Sequence, residues 1–277
     1  SALAGNTTGG SNQAIGYGAL ICNTTGYYNN AIGRCALQYN TTGCHNNALG
    51  QNALRNSLSG CHNFAAGESA LYSNSSGCYN VAIGCNAMYD NTDGCYNTAF
   101  GNYALTNNTC GLHNFAVGQN ALRTNTTGGR NIGLGACSLY CNSSGNCNTA
   151  LGCWALCANT CGNDNIGIGY GTLKTNQTGH WNTALGLCSQ MTQNGGCHNF
   201  SVGYRSMRDA TGGTHNVALG SNTLCLNTTG THNTGIGPQA LASNKTGSHN
   251  VALGDQSLYF ANSGCHNIAA GQSALYS

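Results

Sequence analysis

Residues 40–56 read NTTGCHNNALGQNALRN, and residues 244–260 read NKTGSHNVALGDQSLYF. The two stretches share one pattern, N-x-T-G-x-H-N-x-A-L-G-x-x-[AS]-L, and the same pattern fills the chain between and beyond them. Gly recurs at 9, 26, 43, 60 and every seventeenth residue to 264, with no insertion or deletion. Sixteen copies of 17 residues therefore span 6–277, after a partial repeat at 1–5, and the whole of 1–277 reads as a single repeat domain. Positions within a copy are numbered below from Asn6 as position 1.

A copy of 17 residues with two fixed glycines has no room for a helix of about 12–15 residues, the length that holds in water. Short strands joined by turns remain. A repeat that never changes length suits a parallel β-solenoid, in which each coil lies in register on the last at about 4.8 Å. The expectation is an all-β chain, a parallel β-solenoid or β-roll of 16 coils.

Composition narrows the function. Only 5% of the 277 residues are charged and the net charge is +2, against roughly 25% charged in ordinary globular domains. Such a surface offers no field for nucleic acid. No apolar run reaches the 18 residues of a membrane span, so no membrane insertion is expected. The six carboxylates, at Glu68, Asp90, Asp93, Asp164, Asp209 and Asp255, are scattered. No motif for catalysis or a cofactor emerges, and the chain reads as a non-enzyme.

The columns suggest which side chains face inward. Position 10 is apolar in every copy (Ile15, Ile32, Leu49 onward), and position 15 is Leu or Met in all but Gln190. These two columns are expected to form the core. Positions 9 and 14 are small, and are expected at a contact with a neighbouring chain. Gly at position 4 is expected at positive φ after a polar turn, and Gly at position 11 at a corner ending the strand. Asn at position 7, filled in all sixteen copies (Asn12, Asn29, Asn46, Asn63, Asn80, Asn97 and onward), is expected to stack as an amide ladder.

The motif G-x-x-N-x-A-[IL]-G-x-x-A-L, as in Gly43–Leu54 and Gly247–Leu258, resembles the repeats of phage and large-virus tail fibres, often found upstream of an endosialidase-type chaperone domain. Through N-x-A-I-G-x-x-A it is also similar to the head repeats of trimeric autotransporter adhesins. The resemblance covers the whole chain and implies a homotrimeric extracellular fibre. The chain departs from both families in its 18 cysteines.

Position 5 carries Cys44, Cys61, Cys78 and Cys95 in successive coils, and vertical disulfides such as Cys44 with Cys61 and Cys78 with Cys95 are one reading. Free, half-buried thiols are the other. So many cysteines among turns suit an oxidising, extracellular setting. Histidine fills position 6 repeatedly, and His198, His215, His232, His249 and His266 occupy five successive coils. Neighbouring residues of a strand point to opposite faces, so a Cys-His pair does not converge on one ion, and a stacked aromatic column outweighs a metal site there. Eleven N-x-[ST] sequons occur. Nine open a repeat, Asn6, Asn23, Asn40, Asn125 and Asn227 among them, where an exposed turn would carry glycans; turn chemistry alone explains the same residues.

The leading functional expectation is a structural protein forming a rigid extracellular, cell-surface or virion fibre. It would self-associate as a homotrimer or filament, with a host-surface receptor or glycan as a further partner and no cofactor. The alternative is an ice-binding β-solenoid, which shares the low charge, the Thr-rich turns and the cysteines. Its requirement for a regular T-x-T face is not met by adjacent Thr at positions 2 and 3.

Overall fold

The computed structural model describes residues 2–276, in two compact units of residues 2–144 and 145–276. Among the described residues the chain is all-β, with sixteen parallel three-residue strands about 17 residues apart and no helix. The first unit holds eight strands, from Gln13–Ile15 to Ile132–Leu134; the second holds eight, from Thr149–Leu151 to Ile268–Ala270. Pairing is in register at like repeat positions, as in Ala14↔Ala31, Ala31↔Ala48 and Ala218↔Gly235.

Each strand occupies positions 8–10, where β-branched and aromatic residues concentrate. It ends at the position-11 Gly, whose φ of 132–138° at Gly33, Gly50, Gly67 and Gly84 is closed to L side chains. A Cβ at Gly50 would also lie 2.6 Å from the carbonyl oxygen of Gly67 in the next coil. Three further corners place ordinary residues in the left-handed region: position 6 (His45, φ 57°), position 13 (Asn52, φ 58°) and position 15 (Leu54, φ 52°). Left-handed Leu costs of order 1–3 kcal/mol. The position-15 side chain is completely buried in coil after coil, and that burial, worth about 1.5–3 kcal/mol, offsets the strain.

The expected core is half right. Position 15 is its centre, with Leu20, Leu37, Leu54, Leu71 and Met88 fully buried. Position 10 is not core: Ile32, Ile83 and Ile236 are 38–40% exposed, while the alanines one residue earlier, Ala31 and Ala82, are at 0%. A strand alternates faces, so with position 9 inside, positions 8 and 10 must both face out. The interior takes Ala at position 9 because the coil is narrow. A Cβ built at Gly133, a position-9 glycine, already meets Ser138 Oγ at 3.0 Å and the Leu122 side chain at 3.5 Å. Positions 9 and 14, expected at a contact between chains, are likewise interior: Ala31, Ala36, Ala48 and Ala53 are wholly buried.

Position-4 glycines are required for a different reason from the one expected. Gly26, Gly43 and Gly60 lie outside the left-handed region. What excludes a side chain is close approach: a Cβ at Gly60 would sit 2.5 Å from the Gly77 carbonyl oxygen and 2.6 Å from Asn74 Nδ2.

Candidate functional site: interior ladders and outer columns

Two amide ladders run inside each unit. At position 7, the backbone N–H of Asn46 donates to Asn29 Oδ1 at 3.0 Å, and Asn46 Nδ2 donates to the Gly60 carbonyl of the next coil at 2.7 Å. The same pair of bonds recurs at Asn29, Asn63, Asn80, Asn97 and Asn114. Each side chain thus satisfies one donor and one acceptor of a neighbouring backbone, which water cannot reach.

The second ladder was not foreseen. At position 1, Asn40 Nδ2 donates to Asn23 Oδ1 at 2.8 Å and to the Gly43 carbonyl at 3.0 Å, and Asn91, Asn108 and Asn125 repeat both bonds. The placement of these asparagines on exposed turns is corrected here. Asn23, Asn40, Asn125 and Asn227 are fully buried, whereas Asn6 is exposed. An Nδ2 that donates along an interior ladder is no acceptor for a sugar in the folded chain. The legible signal was the constant three-residue spacing from this Asn to the position-4 Gly, whose carbonyl the amide reaches.

Where the position-1 column changes residue, its bonds fail. Ser57, Gln193, Ala210 and Ala261 stand in place of Asn. The Oδ1 atoms of the preceding rungs, Asn40, Asn176 and Asn244, are buried without a hydrogen-bond partner, as are Ser57 Oγ and both amide atoms of Gln193. A polar substitution in the core is half satisfied: Gln190, which replaces the position-15 Leu, donates from Nε2 to the Ser201 hydroxyl at 2.8 Å and to the Thr183 carbonyl at 3.1 Å, while its Oε1 is buried without a partner. Ser201 in turn replaces the position-9 Ala.

Outside, positions 8 and 10 form two parallel columns on the outer sheet face of each unit. No copy has a charged residue at either position. Ile32, Ile83, Phe115, Ile132, Ile166, Ile168, Phe200 and Leu253 all stand exposed on it. Parallel sheets are ordinarily covered on both faces, and a contiguous apolar patch on a soluble surface marks an interaction site.

Position 6 carries a ring column in each unit. In the first, Tyr28, His45, His62, Tyr79, Tyr96 and His113 stack with centroids 4.7–5.0 Å apart. In the second, Trp181, His198, His215, His232, His249 and His266 stack at 4.7–4.9 Å. From His198 to His266 the planes lie within 1–11° of parallel, so the imidazole nitrogens run side by side and do not converge. Among the described residues no group of three or more His, Cys, Asp or Glu could hold a metal ion.

Cys44, Cys61, Cys78 and Cys95 are free thiols and not disulfides. Cys44, Cys61, Cys78 and Cys95 form a vertical column, in which each backbone N–H from Cys44 to Cys78 donates to the next coil's sulfur at 3.1–3.2 Å. Burial pushes the Cys61, Cys78, Cys141 and Cys225 thiols above the ordinary value. Arg208 is held further in its charged form by its bond to Asp209, on a partly exposed pair. Asp90 and Asp93, the closest carboxylates in sequence, serve no common centre; Asp93 accepts from the Ser76 hydroxyl at 2.5 Å. No helix of the described residues is long and apolar enough to cross a membrane.

No protein-family model matches the chain, and no curated protein is significantly similar to it.

Proposed function

We propose that the chain is a structural, non-catalytic element of a rigid extracellular or virion fibre, assembled from copies of itself. One observation carries the reading: a charge-free outer face of parallel sheet whose position-10 column is apolar coil after coil in each unit. A second copy is the occupant that fits it best. Its own columns present the same side chains at the same interval of about 4.8 Å, so two or three copies can interdigitate without opposing charges. A homotrimer is the assembly proposed, joined at positions 8 and 10. The ring columns, lying outside that contact, remain free for a receptor or glycan.

The ice-binding alternative has weaker support. Position-2 Thr hydroxyls are already donated to the next coil's carbonyl, as from Thr24 to Thr41 at 2.9 Å and from Thr41 to Leu58 at 2.9 Å, and position 3 varies among Thr, Ser, Asp, Cys and Gly.

Light scattering at low concentration tests the proposal. A mass three times the 28.3 kDa chain is expected for the unaltered protein. Leu49→Arg with Leu219→Arg is expected to reduce it to a single chain with strand content intact. A monomer at every concentration would overturn self-association.

A further inference from the structure

Only one column of the first unit places cysteine in four successive coils, and its geometry singles out one pair. Coils stacked about 4.8 Å apart hold their Cα atoms within the range of about 4.4–6.8 Å that a disulfide accepts. The sulfurs of Cys61, Cys78 and Cys95 each rest 3.3–3.5 Å from the carbonyl two residues earlier, those of Ser59, Ser76 and Asp93. Cys44 breaks this pattern: its sulfur lies 3.0 Å from Cys61 Sγ. The two sulfurs are hydrogen-bonded to each other, and either can be the donor. Both residues are only partly buried, within reach of a small oxidant.

We propose that Cys44 and Cys61 form a redox-responsive clamp, in which a small-molecule disulfide such as oxidised glutathione converts the pair to a disulfide tying two adjacent coils together. One thiolate of the pair attacks a glutathione sulfur, giving a mixed disulfide and expelling glutathione thiolate. The other thiolate attacks the protein sulfur of that mixed disulfide and expels the second glutathione. The protein loses two electrons and two protons; glutathione disulfide gains both and leaves as two thiols. The backbone N–H of Cys44, 3.2 Å from Cys61 Sγ, stabilises the negative charge on that sulfur during the exchange. Neither the pairing nor its chemistry depends on how copies of the chain assemble.

The reduced, full-length chain is titrated with oxidised glutathione, quenched by alkylation and mapped by peptide mass spectrometry. The first intramolecular disulfide is expected to link the Cys44 and Cys61 peptides, with a higher thermal midpoint than the reduced chain. Cys44→Ser, close in size and so expected to keep its circular dichroism, should lose both the link and the rise; Cys95→Ser should keep both. A first link between Cys61 and Cys78, a Cys78–Cys95 link formed equally early, crosslinks between chains, or a 44–61 link without a change in midpoint would each overturn the clamp.

Discussion

Ser57→Asn should stabilise the protein, although it places a larger polar side chain at a fully buried site. Ser57 interrupts the position-1 ladder between Asn40 and Asn74, and leaves two buried atoms unpaired, its own Oγ and Asn40 Oδ1. The backbone there follows the course of its neighbours: Ser57 N–H donates to the Leu54 carbonyl at 3.1 Å, as Asn40 N–H does to Leu37 at 3.1 Å. The substituted amide would therefore donate to Asn40 Oδ1 and the Gly60 carbonyl, and accept from Asn74 Nδ2, repeating the bonds seen at Asn108. Each new net hydrogen bond is worth about 0.5–1.5 kcal/mol, and each relieved orphan about 1–3 kcal/mol. Ordering the amide and losing the hydroxyl oppose this, so a net gain of about 2 kcal/mol is expected. Solenoids open locally, so the gain should be read both as the urea midpoint and as slower amide exchange at residues 57–77. Bacterial expression avoids a glycan on the N-x-S sequon that the change creates together with Leu58 and Ser59. A neutral or destabilising result, with Asn40→Ala also neutral, would show that the position-1 amides are not an energetic ladder.

Three further outcomes follow from the same columns. Ala48→Arg, at a 0%-exposed position, should abolish folding of its coil and lower strand content on circular dichroism, whereas Leu49→Arg one residue later should leave strand content unchanged. Leu54→Asp should place an unpaired carboxylate among buried side chains and cost more than about 3 kcal/mol, while Gln51→Asp, on the outer surface, should change the unfolding midpoint little; equal effects would mean the inward column is misplaced. The Cys225 thiol, pushed up by burial, binds its proton more tightly folded than unfolded, so stability is full below the ordinary thiol value of about 8.5 and falls as pH rises from there through the raised value. Thermal midpoints measured from about pH 7 to 10 should show that decline, and Cys225→Ala should flatten it.

The repeat length, the strand position and the in-register stacking were all legible, because a 17-residue period without slippage admits few packings. The facing of the columns was legible only in part. Position 15 announces itself by being Leu or Met, but position 10 is equally apolar and lies outside. The distinguishing signal is parity: position 8 tolerates Gln13, Asn30, Asn47 and Thr98, so it faces solvent, and position 10 must share its side. Apolarity alone could not reveal this, since the outer sheet face is itself apolar. Ala at positions 9 and 14 reads equally as a small residue at an interface and as the largest that fits a narrow coil. The position-1 Asn was obscured by its Thr-Thr neighbours, which look like a turn while the amide points inward. Left-handed Leu at position 15 had no signal in the residue type, because burial there outweighs the backbone preference.

The register is tested most directly by solution or solid-state NMR distance contacts on isotope-labelled protein, taken along the Asn29, Asn46 and Asn63 rungs. A parallel stack of 17-residue coils predicts contacts from the Asn46 backbone N–H to the Asn29 side chain, and from the Asn63 N–H to Asn46, always at a separation of 17. Contacts one residue out of that register, at variable separations, or in the mirrored order of antiparallel hairpins would contradict it.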